Sequence, residues 1–132
     1  MRRFLALLAA FFALPAAAQD NAVQLDQPTQ RVLSRAGGSV ADVLQRGTGN
    51  NAETIQSGPG NTASITQSGS GNVSSIRQSG SGNNAESTQT GNNLGIGITQ
   101  SGAAGDIRVQ QTGPGAGGAT IFQSGPGTVT VR

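Results

Sequence analysis

From residue 39 onward, apolar and small residues alternate with polar ones in short runs, and each run but the last closes on a glutamine. Counting back in twos from Gln67 gives Ile65, Ala63 and Asn61, and from Gln78 it gives Ile76, Ser74 and Asn72. Gln89 leads back to Ser87, Ala85 and Asn83; Gln100 to Ile98, Ile96 and Leu94; Gln111 to Val109, Ile107 and Gly105; Gln123 to Ile121, Ala119 and Gly117. The intervening positions, Thr62-Ser64-Thr66, Val73-Ser75-Arg77, Asn84-Glu86-Thr88 and Asp106-Arg108-Gln110, are polar apart from Val73 and hold nearly every charge. A period of two is the mark of a strand with one face buried. The pattern predicts strands near 39–45, 50–56, 61–67, 72–78, 83–89, 94–100, 105–111, 117–123 and 128–131. Ile55 and Phe122 depart from it, because both fall on the outward set.

The strands recur at a fixed interval. Glutamine stands at 45, 56, 67, 78, 89, 100, 111 and 123, so the step is eleven residues six times and twelve once. Two positions after each lies a glycine: Gly47, Gly58, Gly69, Gly80, Gly91, Gly102, Gly113 and Gly125. The run between glutamine and the next strand also takes Pro59, Pro114 or Pro126 in one slot, which is turn chemistry. One strand plus one reversal per unit makes a coil of two units, or 22 residues, and residues 22 apart then stack about 4.7–4.9 Å above one another. Gln45, Gln67, Gln89 and Gln111 fall in one column, and Gln56, Gln78, Gln100 and Gln123 in the other. Asn50 with Asn72, and Asn61 with Asn83, are expected to stack in the same manner. Amides in register donate to one neighbour and accept from the other, so an inward polar side chain finds its partner in the repeat itself. The fold class is all-β: a two-sheet β-solenoid of 11-residue strand-turn units, two units per 22-residue coil.

Composition narrows the function. Arg2 and Arg3, the apolar run Phe4 to Leu14 and the small residues Ala16-Ala17-Ala18 read as a signal peptide over residues 1–18, and no later stretch is apolar enough to span a membrane. Residues 19–38 read as a flexible N-terminal segment, a candidate for secretion targeting, ahead of repeats over 39–132. Beyond residue 18 six arginines face six acidic residues (Asp20, Asp26, Asp42, Glu53, Glu86, Asp106), and a near-neutral surface favours self-association over nucleic-acid binding. The chain has no cysteine, histidine, lysine, tyrosine or tryptophan, which removes the usual zinc ligands, thiol and histidine-dependent nucleophiles and Schiff-base chemistry. Glu53 and Glu86 lie three units apart, hence on opposite sheets, and read as solvated surface charges. Gly58-Pro59-Gly60 lacks the Lys-Ser/Thr and the helix of a phosphate-binding loop. Only Asp106 among the aspartates falls within the later units, against the repeating aspartate of calcium-binding solenoids. No enzyme activity, cofactor or metal is expected.

The spacing Q-x-G-x-x-N-x-A-x-x-x-Q resembles the curlin repeat of curli, the extracellular amyloid fibres of bacteria. Gln45, Gly47, Asn50, Ala52 and Gln56 fit it, as do Gln56, Gly58, Asn61, Ala63 and Gln67, and Gln78, Gly80, Asn83, Ala85 and Gln89. The unit from Gln67 has Ser74 in the alanine slot, and from Gln89 onward Leu94, Gly105 and Gly117 replace the asparagine. The resemblance implies a fibre subunit delivered through the curli secretion pore of the outer membrane, polymerising with itself and other curlin subunits and supporting adhesion and biofilm. Members with many tyrosines are common in that family, and this chain has none. Major subunit and minor, nucleating subunit are both left open. A third reading is a soluble solenoid that recognises a surface or ice. The expected outward row is irregular, since Gln110 follows Thr66 and Thr88. With no capping element expected before residue 39 or after residue 131, the strand edges would be free to template further copies.

Overall fold

The computed structural model describes residues 21–25, 30–115 and 117–132; the expected signal peptide lies outside them. The described residues form eleven strands: β1 (Asn21–Leu25), β2 (Gln30–Ala36), β3 (Ser39–Thr48), β4 (Asn51–Ser57), β5 (Thr62–Ser70), β6 (Val73–Ser81), β7 (Asn84–Asn92), β8 (Gly95–Ala103), β9 (Gly105–Pro114), β10 (Gly118–Ser124) and β11 (Gly127–Val131). The strands form two sheets, ordered β1-β4-β6-β8-β10 and β11-β9-β7-β5-β3-β2, and from β3 onward successive strands alternate between them. Parallel neighbours need a crossover, and here the crossover is a strand of the opposite sheet, as β4 is between β3 and β5. All pairings from β3 onward are parallel. Their register is 22 residues, as in Gln45↔Gln67 and Gln56↔Gln78. The stretched unit shifts one pairing to Gln100↔Gln123. The protein is a two-sheet β-solenoid.

Inward positions are closed to solvent from Ser39 to Val109, and half-buried in β10 and β11. Ala41, Ala52, Ala63 and Ala85 keep the sheets close, and Ile65, Ile76, Ile98 and Ile107 fill the space between them. Where two serines meet across the interior, Ser74 and Ser87 hydrogen-bond to each other at 2.7 Å. Thr54 is fully buried in the column that continues as Ile76, and its hydroxyl has no hydrogen-bond partner. An unsatisfied buried hydroxyl is destabilising, so Thr54→Val is expected to raise folding stability by about 1 kcal/mol, read as a higher urea midpoint. Ile55 and Phe122 lie in the outward row Ile55-Arg77-Thr99-Phe122, and Phe122 is 76% exposed.

Several strands outrun their expected ends. β5 continues to Ser70, with Gly69 still paired to Gly91, so the ladder runs through a residue expected in the turn. A bend repeated at the same place in every coil stacks on its own copy, and backbone bonding need not break there. The chain reverses instead around Gly49, Gly60, Gly71 and Gly82, whose φ values of 65 to 70° are left-handed. In the next two units Asn93 and Ala104 occupy that place, both at φ 56°. Alanine is disfavoured there, so Ala104→Gly is expected to stabilise the solenoid by about 1 kcal/mol by the same urea measurement.

The N-terminal segment corrects the expectation of an uncovered edge. β2 folds back antiparallel on β3, with Ala36 paired to Ser39 across the two-residue loop Gly37-Gly38. Both glycines have positive φ, 55° and 77°, as a type I′ hairpin loop requires. β1 then pairs antiparallel with β4. Thus both sheets carry an antiparallel strand at the end where the repeats begin.

Candidate functional site: an axial amide ladder

Each unit delivers one glutamine inward at the end of its alternating run, and Gln45, Gln56, Gln67, Gln78, Gln89 and Gln100 are at most 1% exposed. In one column Gln45 Nε2 donates to Gln67 Oε1 at 2.9 Å, Gln67 Nε2 to Gln89 Oε1 at 2.9 Å, and Gln89 Nε2 to Gln111 Oε1 at 3.4 Å. In the other, Gln56 donates to Gln78 at 2.9 Å, Gln78 to Gln100 at 2.8 Å, and Gln100 to Gln123 at 3.1 Å. All six donors point the same way along the axis. The second amide hydrogen crosses to the opposite sheet: Gln56 donates to the Val40 carbonyl, Gln67 to Asn51, Gln78 to Thr62 and Gln89 to Val73. One side chain therefore couples adjacent coils and ties the sheets together. At the last coils Gln111 and Gln123 are only half-buried, and Gln123 Nε2 turns to the Gly127 carbonyl.

The asparagines behave differently from the expected stack. Asn50, Asn61, Asn72 and Asn83 are buried, but their amides bond to backbone and not to one another. Asn50 Nδ2 donates to the Arg46 and Gly69 carbonyls, and its Oδ1 accepts the Asn72 backbone N–H. Asn61 repeats this with Ser57, Gly80 and the Asn83 N–H, as do Asn72 with Ser68, Gly91 and the Leu94 N–H, and Asn83 with Ser79, Gly102 and the Gly105 N–H. With both amide hydrogens donated to backbone carbonyls, as Asn50 gives its pair to Arg46 and Gly69, the asparagine has none left for its copy. Asparagine locks the bend; glutamine propagates the axis. In the first coil Ser39 takes the asparagine slot, accepting the Asn61 N–H and donating to the Gly58 carbonyl.

The glycines two residues after glutamine make this closure possible. At Gly47, Gly58, Gly69, Gly80 and Gly91 a Cβ would overlap the carbonyl oxygen of the equivalent glycine in the next coil. Gly102 is tight against the Gly125 amide, while Gly113 and Gly125 have open space. The second glycine of each unit (Gly49, Gly60, Gly71, Gly82) went unmarked in the sequence reading, although the recurring G-x-G-N of units 45 to 83 was its signal.

Outward chemistry is sparse. Glu53 is on β4 and Glu86 on β7, in different sheets, so they form no carboxylate pair. Arg108 lies 3.6 Å from Glu86 and 3.7 Å from Asp106 on an exposed face, where such pairs contribute little. Among the described residues no group of His, Cys, Asp or Glu could hold a metal ion, and no helix is long and apolar enough to cross a membrane. The outward row Leu44-Thr66-Thr88-Gln110 is not a regular threonine array.

These features define a structural repeat protein: a solenoid whose buried glutamine and asparagine amides bond within and between its own coils. The family model of the curlin associated repeat matches the chain three times, over residues 39–69, 58–86 and 75–102. Residues 39–102, from β3 into β8, thus carry curlin-type repeats. No curated protein and no solved structure matches the chain.

Proposed function

We propose that this chain is a structural subunit of an extracellular curli-type fibre, assembled by head-to-tail stacking of solenoids along the ladder axis. The observation that carries this reading is the one-way glutamine ladder, whose 22-residue register makes each coil a template for the next. At the far end the outermost strands β10 and β11 pair on one side only, which leaves backbone donors and acceptors for another chain. The curlin-type repeats support the same reading. Export would use residues 1–18 as signal peptide and the curli secretion pore, and the assembled fibre would serve cell adhesion and biofilm. Other curlin subunits are the natural co-assembling partners.

The test is a concentration-dependent thioflavin-T time course on residues 19–132. A sigmoidal rise whose lag shortens with concentration and with added fragments of preformed fibre is expected. A flat trace from a folded, β-rich monomer at high concentration would overturn the proposal.

A further inference from the structure

The two ends of the solenoid differ. At the far end, β10 and β11 are the last strands of their sheets, running parallel to their neighbours. At the near end, β1 and β2 cover β4 and β3, and both run antiparallel. Ser39–Gln45 of β3 and Ala52–Gln56 of β4, most of the near edge of the first coil, are thereby paired with the chain's own preceding segment. β3 and β4 are the strands that a second copy must pair with if coils continue from molecule to molecule. We infer that β1 and β2 form a displaceable clasp over a latent docking surface, and that the occupant of this surface in the fibre is the β10–β11 end of a second copy. This inference rests on the fibre reading above.

The two occupants compete for the same backbone groups. The clasp strands β1 and β2 are five and seven residues long, and the incoming β11 and β10 are also five and seven, so strand length favours neither occupant. A stacked solenoid, however, brings Gln123 of β10 to the sheet of β4 in the parallel sense that the ladder uses, as Gln123 already stands against Gln100. The clasp has the advantage of attachment: a tethered strand acts at an effective concentration in the millimolar range, far above that of dilute free chains. The register strengthens the picture, since β2 sets Gln30 opposite Gln45 and Val32 opposite Val43, the same residue type in each case. The clasp therefore holds the folded chain as a monomer when dilute and yields to a second copy when chains are concentrated or a fibre end is present. Every junction in the fibre requires one opened clasp.

A reversible staple tests this in the full-length secreted chain, which has no cysteine of its own. Arg31 and Leu44 are register partners, and antiparallel pairs about 4.5–5.5 Å apart at Cα suit a disulfide. In R31C/L44C, the oxidised chain is expected to elongate seeds slower than its reduced form by on the order of tenfold or more, because the tethered occupant can no longer leave. Oxidised chains added in small amounts to unmodified chains are expected to shorten the fibres, since each can add by its free end and then present a locked one. In the opposite direction, Gly38→Val strains the hairpin loop at φ 77° and is expected to shorten the lag. Equal elongation by oxidised and reduced forms would overturn the clasp and leave the fibre reading standing. Failure of the reduced form and of the unmodified chain to polymerise at all would overturn both.

Discussion

Replacing Gln67 by alanine is expected to destabilise the folded monomer by about 3–5 kcal/mol, at about 1–3 kcal/mol for each buried polar group left without its bond. Gln67 accepts from Gln45, donates to Gln89 and donates across the interior to the Asn51 carbonyl. Alanine reaches none of these, and water has no route to a site that is fully closed. The outward Ser64→Ala in the same strand is expected to change stability by no more than about 0.5 kcal/mol. Gln111→Ala should fall between, near 1 kcal/mol, because Gln111 is half-buried and receives a long 3.4 Å bond. Urea midpoints on chains freshly released from denaturant give the order, and fibre lag times should follow it. Equal lags for Gln67→Ala and Ser64→Ala would mean that the amide ladder does not specify register.

The second large effect is expected at a glycine. In Gly69→Ala the new methyl overlaps the Gly91 carbonyl oxygen, at a backbone φ of 118°. The ladder must part at the bend or the bend must open, and either breaks the Asn72 bond to the Gly91 carbonyl as well. A loss of about 3 kcal/mol or more is expected, of which about 1–3 kcal/mol is backbone strain alone. Gly113→Ala supplies the control: its φ is 135°, but nothing lies within 4 Å, so strain is the whole cost. Similar urea midpoints for the two variants would show that close stacking of the bends is not what demands glycine.

The fold was legible in this sequence because one physical signal was repeated eight times over. Alternation placed Ile65, Ala63 and Gln67 on one face, the eleven-residue step forced two sheets, and Gln45↔Gln67 and Gln56↔Gln78 are the pairs that step requires. What period and composition could not decide was how a side chain of given length uses its amide. Glutamine gives one amide hydrogen to its copy, while asparagine, placed at the bend, gives both to backbone carbonyls, as Asn72 does to Ser68 and Gly91. The continuation of strands through Gly69 was hidden for a related reason: a glycine reads as a turn in one chain segment, and only stacking of identical bends keeps it in the ladder. The clasp was missed because residues 21–36 lie outside the period. Its one local signal was Gly37-Gly38, a two-residue hairpin loop between Ala36 and Ser39.

These elements converge on a single claim, that the solenoid axis within one chain is also the axis of the fibre. Diffraction from aligned fibres of residues 19–132 tests it most directly. The account predicts a meridional reflection near 4.7–4.8 Å, from coils stacked along the fibre, with an equatorial reflection near 10 Å from the two facing sheets. A 4.7–4.8 Å reflection on the equator, or none at all, would contradict it.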